Sequence, residues 1–275
     1  MNPKGMTLIE LLIAMVIVAV LVAGIYRTFV SQQHTYTVQE QVVDVQQNVR
    51  MAITQMVRDI RMAGFGRIDS KTFGPSGMHG VYNNIITPST AGVTVVEGYK
   101  QMTTLAADSA FGTNTIQVVD ASGFTTGEPK EYICINGTES HRILTINGNQ
   151  ITFVNDGYDT GLLVDTHYAG EPVFLVEALT YSLGLFNGKM DLLRDENLGD
   201  GPQPIGENIE SLSFTYTLSD GSVYAGSVPG PLLGNIRMIQ VSIVAKTDRT
   251  DPQLSGDGYR RRTLTSNIQL RNLAF

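Results

Sequence analysis

A single cysteine cannot close an intrachain disulfide, and Cys134 is the only thiol in 275 residues. In an oxidising compartment the fold would therefore rest on its core alone. Cys134 stands in Glu131-Tyr132-Ile133-Cys134-Ile135, an apolar strand-like run with nothing cationic beside it. That environment reads as a buried structural thiol rather than a reactive one. Basic residues are also in short supply: the net charge is −7, which argues against a nucleic-acid surface. Charged residues make up only 16% and tryptophan is absent, while glycine, threonine, serine and asparagine are abundant. This balance suits a β-rich extracytoplasmic domain better than a disordered chain. Proline is missing from the whole stretch between Pro3 and Pro75.

Catalytic signatures are missing too. His34, His79, His141 and His167 are scattered without metal-ligand spacing, and there is no Cys pair, G-x-S-x-G elbow or P-loop. The expectation is a protein that is not an enzyme and needs no cofactor. Asp195, Asn197 and Asp200 offer oxygen ligands of the kind Ca²⁺ takes, but they lack EF-hand spacing and follow a strand directly. A solvated loop is the preferred reading. Arg260-Arg261-Arg262 reads as a salt-bridged or solvated face.

What the chain does have is one long apolar run. From Leu8 to Tyr26 it is built almost wholly from Leu, Ile, Val, Ala and Met, about 19 residues, close to the length that crosses a bilayer's hydrocarbon core. Lys4 precedes it, favouring an amino terminus on the cytoplasmic side, and Arg27 follows it. Beyond it, Val38, Val42, Val45, Val49, Ile53, Met56, Ile60 and Ala63 recur at steps of three and four, one stripe of a helix. Gln39, Glu40, Asp44, Arg50, Arg58 and Asp59 lie between them. With no proline or turn cluster intervening, the spacing predicts one helix from Thr7 to Ala63, roughly 85 Å long. Gly64-Phe65-Gly66 ends it. A cleaved secretory signal, with its site near Val22-Ala23-Gly24, would not run on into such a helix. A plain single-pass anchor would, but it leaves Glu10 unexplained. A carboxylate at the edge of a membrane segment costs several kcal/mol unless it finds a partner, roughly, or snorkels to the headgroups.

Lys4-Gly5-Met6-Thr7-Leu8-Ile9-Glu10 resembles the processing site of type IV prepilins and pseudopilins. The resemblance implies that a membrane-embedded prepilin peptidase cleaves between Gly5 and Met6 and that Met6 is then N-methylated. Most family members have Phe there, so Met6 departs from the pattern. Glu10 becomes the fifth mature residue, which in the family pairs with the amino terminus of a neighbouring subunit. Burying a carboxylate against an ammonium favours one axial register. Major pilins usually carry a proline midway along the apolar segment; its absence here fits a minor pilin or a pseudopilin.

After Gly66 the pattern changes to short alternating runs with turn signals. Residues 113–120, 132–135, 142–146 and 151–154 read as strands, with Asn147-Gly148 as a hairpin turn. A second set, 173–185, 190–193, 209–218, 236–245 and 262–270, contains Asn187-Gly188 and Asp220-Gly221 turns. The expected fold is α+β: a long amino-terminal helix packed on an antiparallel β-sheet domain with an inserted β module. The expected organisation is a leader at 1–5, a membrane-spanning part at 6–27 and an amphipathic continuation at 28–66. A loop-rich connection at 67–103, the inserted module at 104–170 and a carboxy-terminal sheet at 171–275 complete it. The segments 57–65, 181–194, 205–216 and 269–273 resemble the PilW class of minor pilins and, more distantly, the J-type pseudopilin of type II secretion. That resemblance implies a minor pilin, a structural subunit that primes pilus assembly at or near the tip. Its partners would be the prepilin peptidase, other minor pilins, the major pilin and the inner-membrane assembly platform. It would begin as a single-pass inner-membrane protein with a periplasmic β domain, then move to the pilus. The alternatives are the J-type pseudopilin and a tip adhesin whose inserted module contacts a ligand.

Overall fold

The structure, a computed structural model, describes residues 7–66, 78, 82–127, 129–156 and 159–273. One helix dominates the amino-terminal part: α1 runs from Leu8 to Met62, 55 residues, or about 82 Å at 1.5 Å per residue. Nothing in its sequence interrupts the hydrogen-bond ladder, since it holds no proline. It stops where Gly64 and Gly66 take φ of +76° and +100°, left-handed conformations that glycine adopts without a Cβ penalty.

The chain separates into two compact units. Residues Met1–Gln46 with Thr247–Arg260 form the first, and Gln47–Lys246 with Arg261–Phe275 the second. In the first, the apolar side chains from Leu8 to Val30 are exposed, and an 18-residue window of this helix reaches a mean hydropathy of 3.0. The segment is long and apolar enough to cross a membrane. His34 and Arg260 both bond Asp251 there, at 3.2 and 2.6 Å.

In the second unit the helical stripe goes inward: Val49, Ala52, Ile53, Met56, Ile60 and Ala63 are all buried. They bed on a β domain with thirteen strands among the described residues. These are β1 (Ile86–Ser89), β2 (Gly92–Thr104), β3 (Thr115–Gln117), β4 (Tyr132–Ile135), β5 (Glu139–Asn147) and β6 (Gln150–Phe153). There follow β7 (Pro172–Phe186), β8 (Lys189–Asp195), β9 (Gln203–Gly206), β10 (Ile209–Leu218), β11 (Val223–Ala225), β12 (Ile236–Lys246) and β13 (Arg261–Gln269). A nine-stranded sheet has the order β1-β2-β7-β4-β5-β6-β3, with β8 also on β7 and β9 on β8; a four-stranded sheet has the order β11-β10-β12-β13. All pairings are antiparallel.

The stretch expected to be loop-rich, 67–103, carries β1 and most of β2 from residue 86 on. Its pattern hid it. Residues 92–98 are buried on both faces, so the period-2 alternation is lost, and the β2–β7 register shifts twice, around Gly98 and again near Met102. The strands expected to make one sheet over 171–275 divide between two. β7, β8 and β9 belong to the larger sheet; after Asn208, at φ +55° and donating to Asp191 Oδ1 over 2.9 Å, the chain enters the smaller one. Alternation tells which face of a strand is buried, not which strand lies beside it.

The hairpin at 147–150 turns one residue later than expected. Asn147 pairs with Gln150, leaving Gly148-Asn149 as the loop, with Gly148 at φ +59° in the first central position. Asn187-Gly188 is the expected turn, both residues at positive φ between the paired Phe186 and Lys189. The 15-residue β7 links the two halves of the large sheet. β2 lies along one edge, while the other edge pairs first with β4 and then with β8. A separate apolar cluster around Leu105, Ile116, Ile133, Ile143, Ile151 and Phe153 closes on Val173 and Leu175 of β7.

Candidate functional site

At the start of α1, Thr7 and Glu10 form a reciprocal cap. The Glu10 carboxylate accepts from the Thr7 N–H and hydroxyl, both at 2.9 Å, and the Glu10 N–H donates to Thr7 Oγ1 at 3.4 Å. This is the capping-box pattern T-x-x-E, which satisfies donors that the first turn of a helix leaves open. The T-x-x-E spacing is local in sequence, yet beside an apolar run Glu10 reads first as a membrane-edge charge rather than as a cap. Gly5 and Met6 lie outside the described residues.

Farther along α1, Asp59 is clamped to the sheet. The Tyr181 hydroxyl of β7 donates to Asp59 Oδ2, and Arg194 Nε of β8 reaches the same oxygen at 2.9 Å. Arg194 Nη1 donates to Glu196 at 2.6 Å, and Glu196 also accepts from Lys100 Nζ at 3.0 Å. At the end of the helix Asn272 Nδ2 donates to the Met62 and Ala63 carbonyls, at 3.1 and 3.2 Å. Three of the segments singled out in sequence, 57–65, 181–194 and 269–273, thus meet around the last turns of the helix. Spacing alone could not have joined them, because the contacts span more than a hundred residues.

Beside the clamp lies a groove of about 970 Å³. Glu97 and Glu177 face one another across β2 and β7, both buried, and each has an Oε2 without a hydrogen-bond partner. Burial raises both: Glu97 to about 8, helped by the negative charges of Asp59 and Glu177, and Glu177 to about 7 despite the nearby Lys100.

The module between β2 and β7 holds a third constellation, which the scattered histidines concealed. Glu139 and His141 share a face of β5, and His167 returns from the loop before β7. Glu139 accepts from His141 Nε2 at 2.9 Å, His167 Nε2 at 2.6 Å, and the Val164 and Asp165 N–H groups at 2.8 and 3.2 Å. The remaining ring nitrogens face Asp159 at 2.9 Å and Glu171 at 2.7 Å. Every imidazole nitrogen therefore meets a carboxylate oxygen, which can only accept, so both rings are doubly protonated. Burial opposes the charge on His141, but Asp159 and Glu139 raise it to about 9. Burial would lift Glu139 as well, yet its donors hold it far below the usual carboxylate range. With its donors and acceptors matched, the chain of charges staples β5 to the loop before β7.

The loop that carries Asp195, Asn197 and Asp200 is organised by its own hydrogen bonds. Asp195 Oδ1 accepts the Asn197 N–H at 2.7 Å, and Asn197 Nδ2 donates inward to Ala178 O at 2.6 Å and Thr180 Oγ1 at 3.0 Å. Asp200 offers its backbone carbonyl to Gln203. No group of three His, Cys, Asp or Glu suited to a metal occurs among the described residues. Arg261 pairs with both oxygens of Glu210. Cys134 is buried, and burial pushes its thiol up to about 11.

Residues 1–26 match the family model of the prokaryotic N-terminal methylation motif. No curated protein matches the chain. Among solved structures the chain is similar to a type IV-like pilin from Thermus thermophilus, at 12% identity and a TM-score of 0.36, over 83% of this chain and 97% of that one.

Proposed function

We propose that this chain is a minor type IV pilin, a structural subunit that enters a pilus and takes part in priming its assembly near the tip. The observation that carries the reading is the methylation motif at residues 1–26 running without a break into one 55-residue helix. The helix's first half exposes apolar side chains along its length, and its last turns are bedded on a β domain. The prepilin peptidase cleaves after Gly5, Met6 is methylated, and Glu10 becomes the fifth residue of the mature chain. In the membrane the apolar segment holds the subunit with its amino terminus cytoplasmic; in a fibre the same surface packs against other pilins. The absence of proline from α1 supports a minor rather than a major subunit.

Glu10 then has two tasks. It caps its own helix through Thr7, and a carboxylate has lone pairs left to accept the ammonium of a neighbouring subunit.

Mass spectrometry of the mature protein tests the processing: the expected species begins at methylated Met6, and a start near Gly24 or an intact Met1 refutes it. Incorporation into sheared fibres tests the assembly role, because Glu10→Ala should deplete the subunit there without lowering its level in the membrane. Recovery with a secretion apparatus instead of pili would favour the J-type pseudopilin. Loss of adhesion with normal fibre number, on removing residues 104–170, would favour the adhesin.

A further inference from the structure

The groove between α1 and the sheet holds two buried acids, each with an oxygen that no hydrogen-bond donor serves. Glu97 and Glu177 sit in register on β2 and β7 and are only 4% and 3% exposed. Like charges opposite one another across a ladder are unfavourable, and a buried carboxylate without donors is costly. The cations at hand are shared with other acids. Arg194 is spent on Asp59 and Glu196. Lys100 makes its close contact, 3.0 Å, with Glu196 and comes no nearer to Glu177 than 3.8 Å. On the helix side the balance is reversed. Arg50 and Arg58 line the same groove, both exposed, and Arg58 acts on Glu97 through its charge rather than through an ion pair at contact distance among the described residues. Arg58 rests over the Tyr99 ring, 5.6 Å from its centre.

We propose that this groove binds a zwitterionic amino acid, its ammonium between Glu97 and Glu177 and its carboxylate on Arg50 and Arg58. A divalent metal is disfavoured because no three ligands of suitable type converge and the rim is cationic. A polyamine would meet the same rim, and a plain anion would meet the buried acids. The volume stands at the upper end of the range, roughly 300–1,000 Å³, that small-molecule sites occupy, and Tyr99 and Met51 supply apolar wall. The charged groups that face the acid pair are Asp59 and Arg58 from α1, Lys100 from β2, Arg194 from β8 and Glu196 beyond it. An ammonium seated there favours the ionised acids, so binding should expel protons.

The test is calorimetric titration of the full chain in detergent micelles with L-lysine, which carries an ammonium both beside its carboxylate and at the end of its side chain. Butylamine and acetate serve as half-ligands. Lysine should bind saturably, about tenfold or more tighter than either half. In two buffers of different ionisation enthalpy, roughly one proton should leave per lysine near neutral pH. Glu97→Gln and Glu177→Gln should each weaken lysine about tenfold or more while flattening the alkaline decline in melting temperature, since each removes an acid that burial keeps protonated near neutral pH. Arg50→Ala should weaken lysine but not butylamine. No saturable binding up to ~10 mM, a concentration corresponding to only a few kcal/mol, or undiminished binding in Glu97→Gln, would overturn the assignment. So would binding without proton release. These readouts need no fibre and are independent of the pilus reading.

Discussion

Replacing Glu139 with glutamine removes the charge at the centre of the buried Asp159-His141-Glu139-His167-Glu171 chain while nearly preserving its volume. Glu139 has four donors within 3.2 Å, two of them imidazolium N–H groups. Glutamine keeps one acceptor oxygen and turns an NH₂ toward donors that then have nothing to bond. Hydrogen bonds to charged groups contribute about 1.5–3 kcal/mol each, and removing one partner of a buried ion pair costs about 3–5 kcal/mol. The expected loss is therefore about 3–5 kcal/mol, and at about 2–4 °C per kcal/mol for a domain of this size the melting temperature should drop by about 10 °C.

The pH profile separates a lost charge network from a lost contact. His141 rises from 6.5 to about 9 in the folded state. Its contribution is thus complete below about pH 6.5 and disappears as pH climbs through about 9, worth about 3 kcal/mol at 1.36 kcal/mol per pKa unit. Without the Glu139 charge the folded value falls back, and the slope across that window should flatten. Thermal unfolding of the full chain in micelles, followed by far-UV circular dichroism across this range, measures both. A melting temperature within about 2 °C of the parent at the acid end, a change of about 1 kcal/mol or less, refutes the reasoning. An unchanged slope refutes it equally.

Tyr181→Phe removes the hydroxyl that clamps Asp59 and should cost about 1–3 kcal/mol by leaving part of a buried carboxylate unserved; chemical denaturation of the full chain measures it. Gly92→Ala places a Cβ 2.1 Å from the Tyr181 carbonyl oxygen. Because β2 and β7 must separate there, a loss beyond about 3 kcal/mol is expected, with poor recovery of folded protein as its readout. Glu97, raised from 4.5 to about 8, contributes proton-linked stability that is complete below about pH 4.5 and lost as pH rises through about 8. Glu97→Gln should flatten the alkaline decline in melting temperature over that range. Cys134, with its thiol pushed up to about 11, should resist an aqueous thiol reagent near pH 8 until denaturant is added, and rapid labelling of the folded protein would contradict its burial.

The helix was legible because its signals are local. Side chains three and four apart share a helical face, so Val49, Ile53, Met56, Ile60 and Ala63 announce a buried stripe whatever they pack against, and all five are buried. Most strands were legible for a similar reason, β10 to the residue. β2 was not, since its first half is buried on both faces and reads like any apolar run. The histidines were visible as residues but not as a group. Nothing near His141 or His167 in the chain signals that Glu139 will lie between them; β5 and the loop before β7 make that meeting.

By itself the sequence determined the motif at the amino terminus, the apolar run, the amphipathic stripe and the turn at Asn187-Gly188, all carried by residues within a few positions of one another. Tertiary structure decided which strands became neighbours, and with them the Asp59 clamp, the facing pair Glu97 and Glu177, and the buried histidine chain. The division has one physical cause. Helical periodicity and turn chemistry act over a few bonds, whereas the cost of a buried charge depends on what the fold brings within about 3 Å of it.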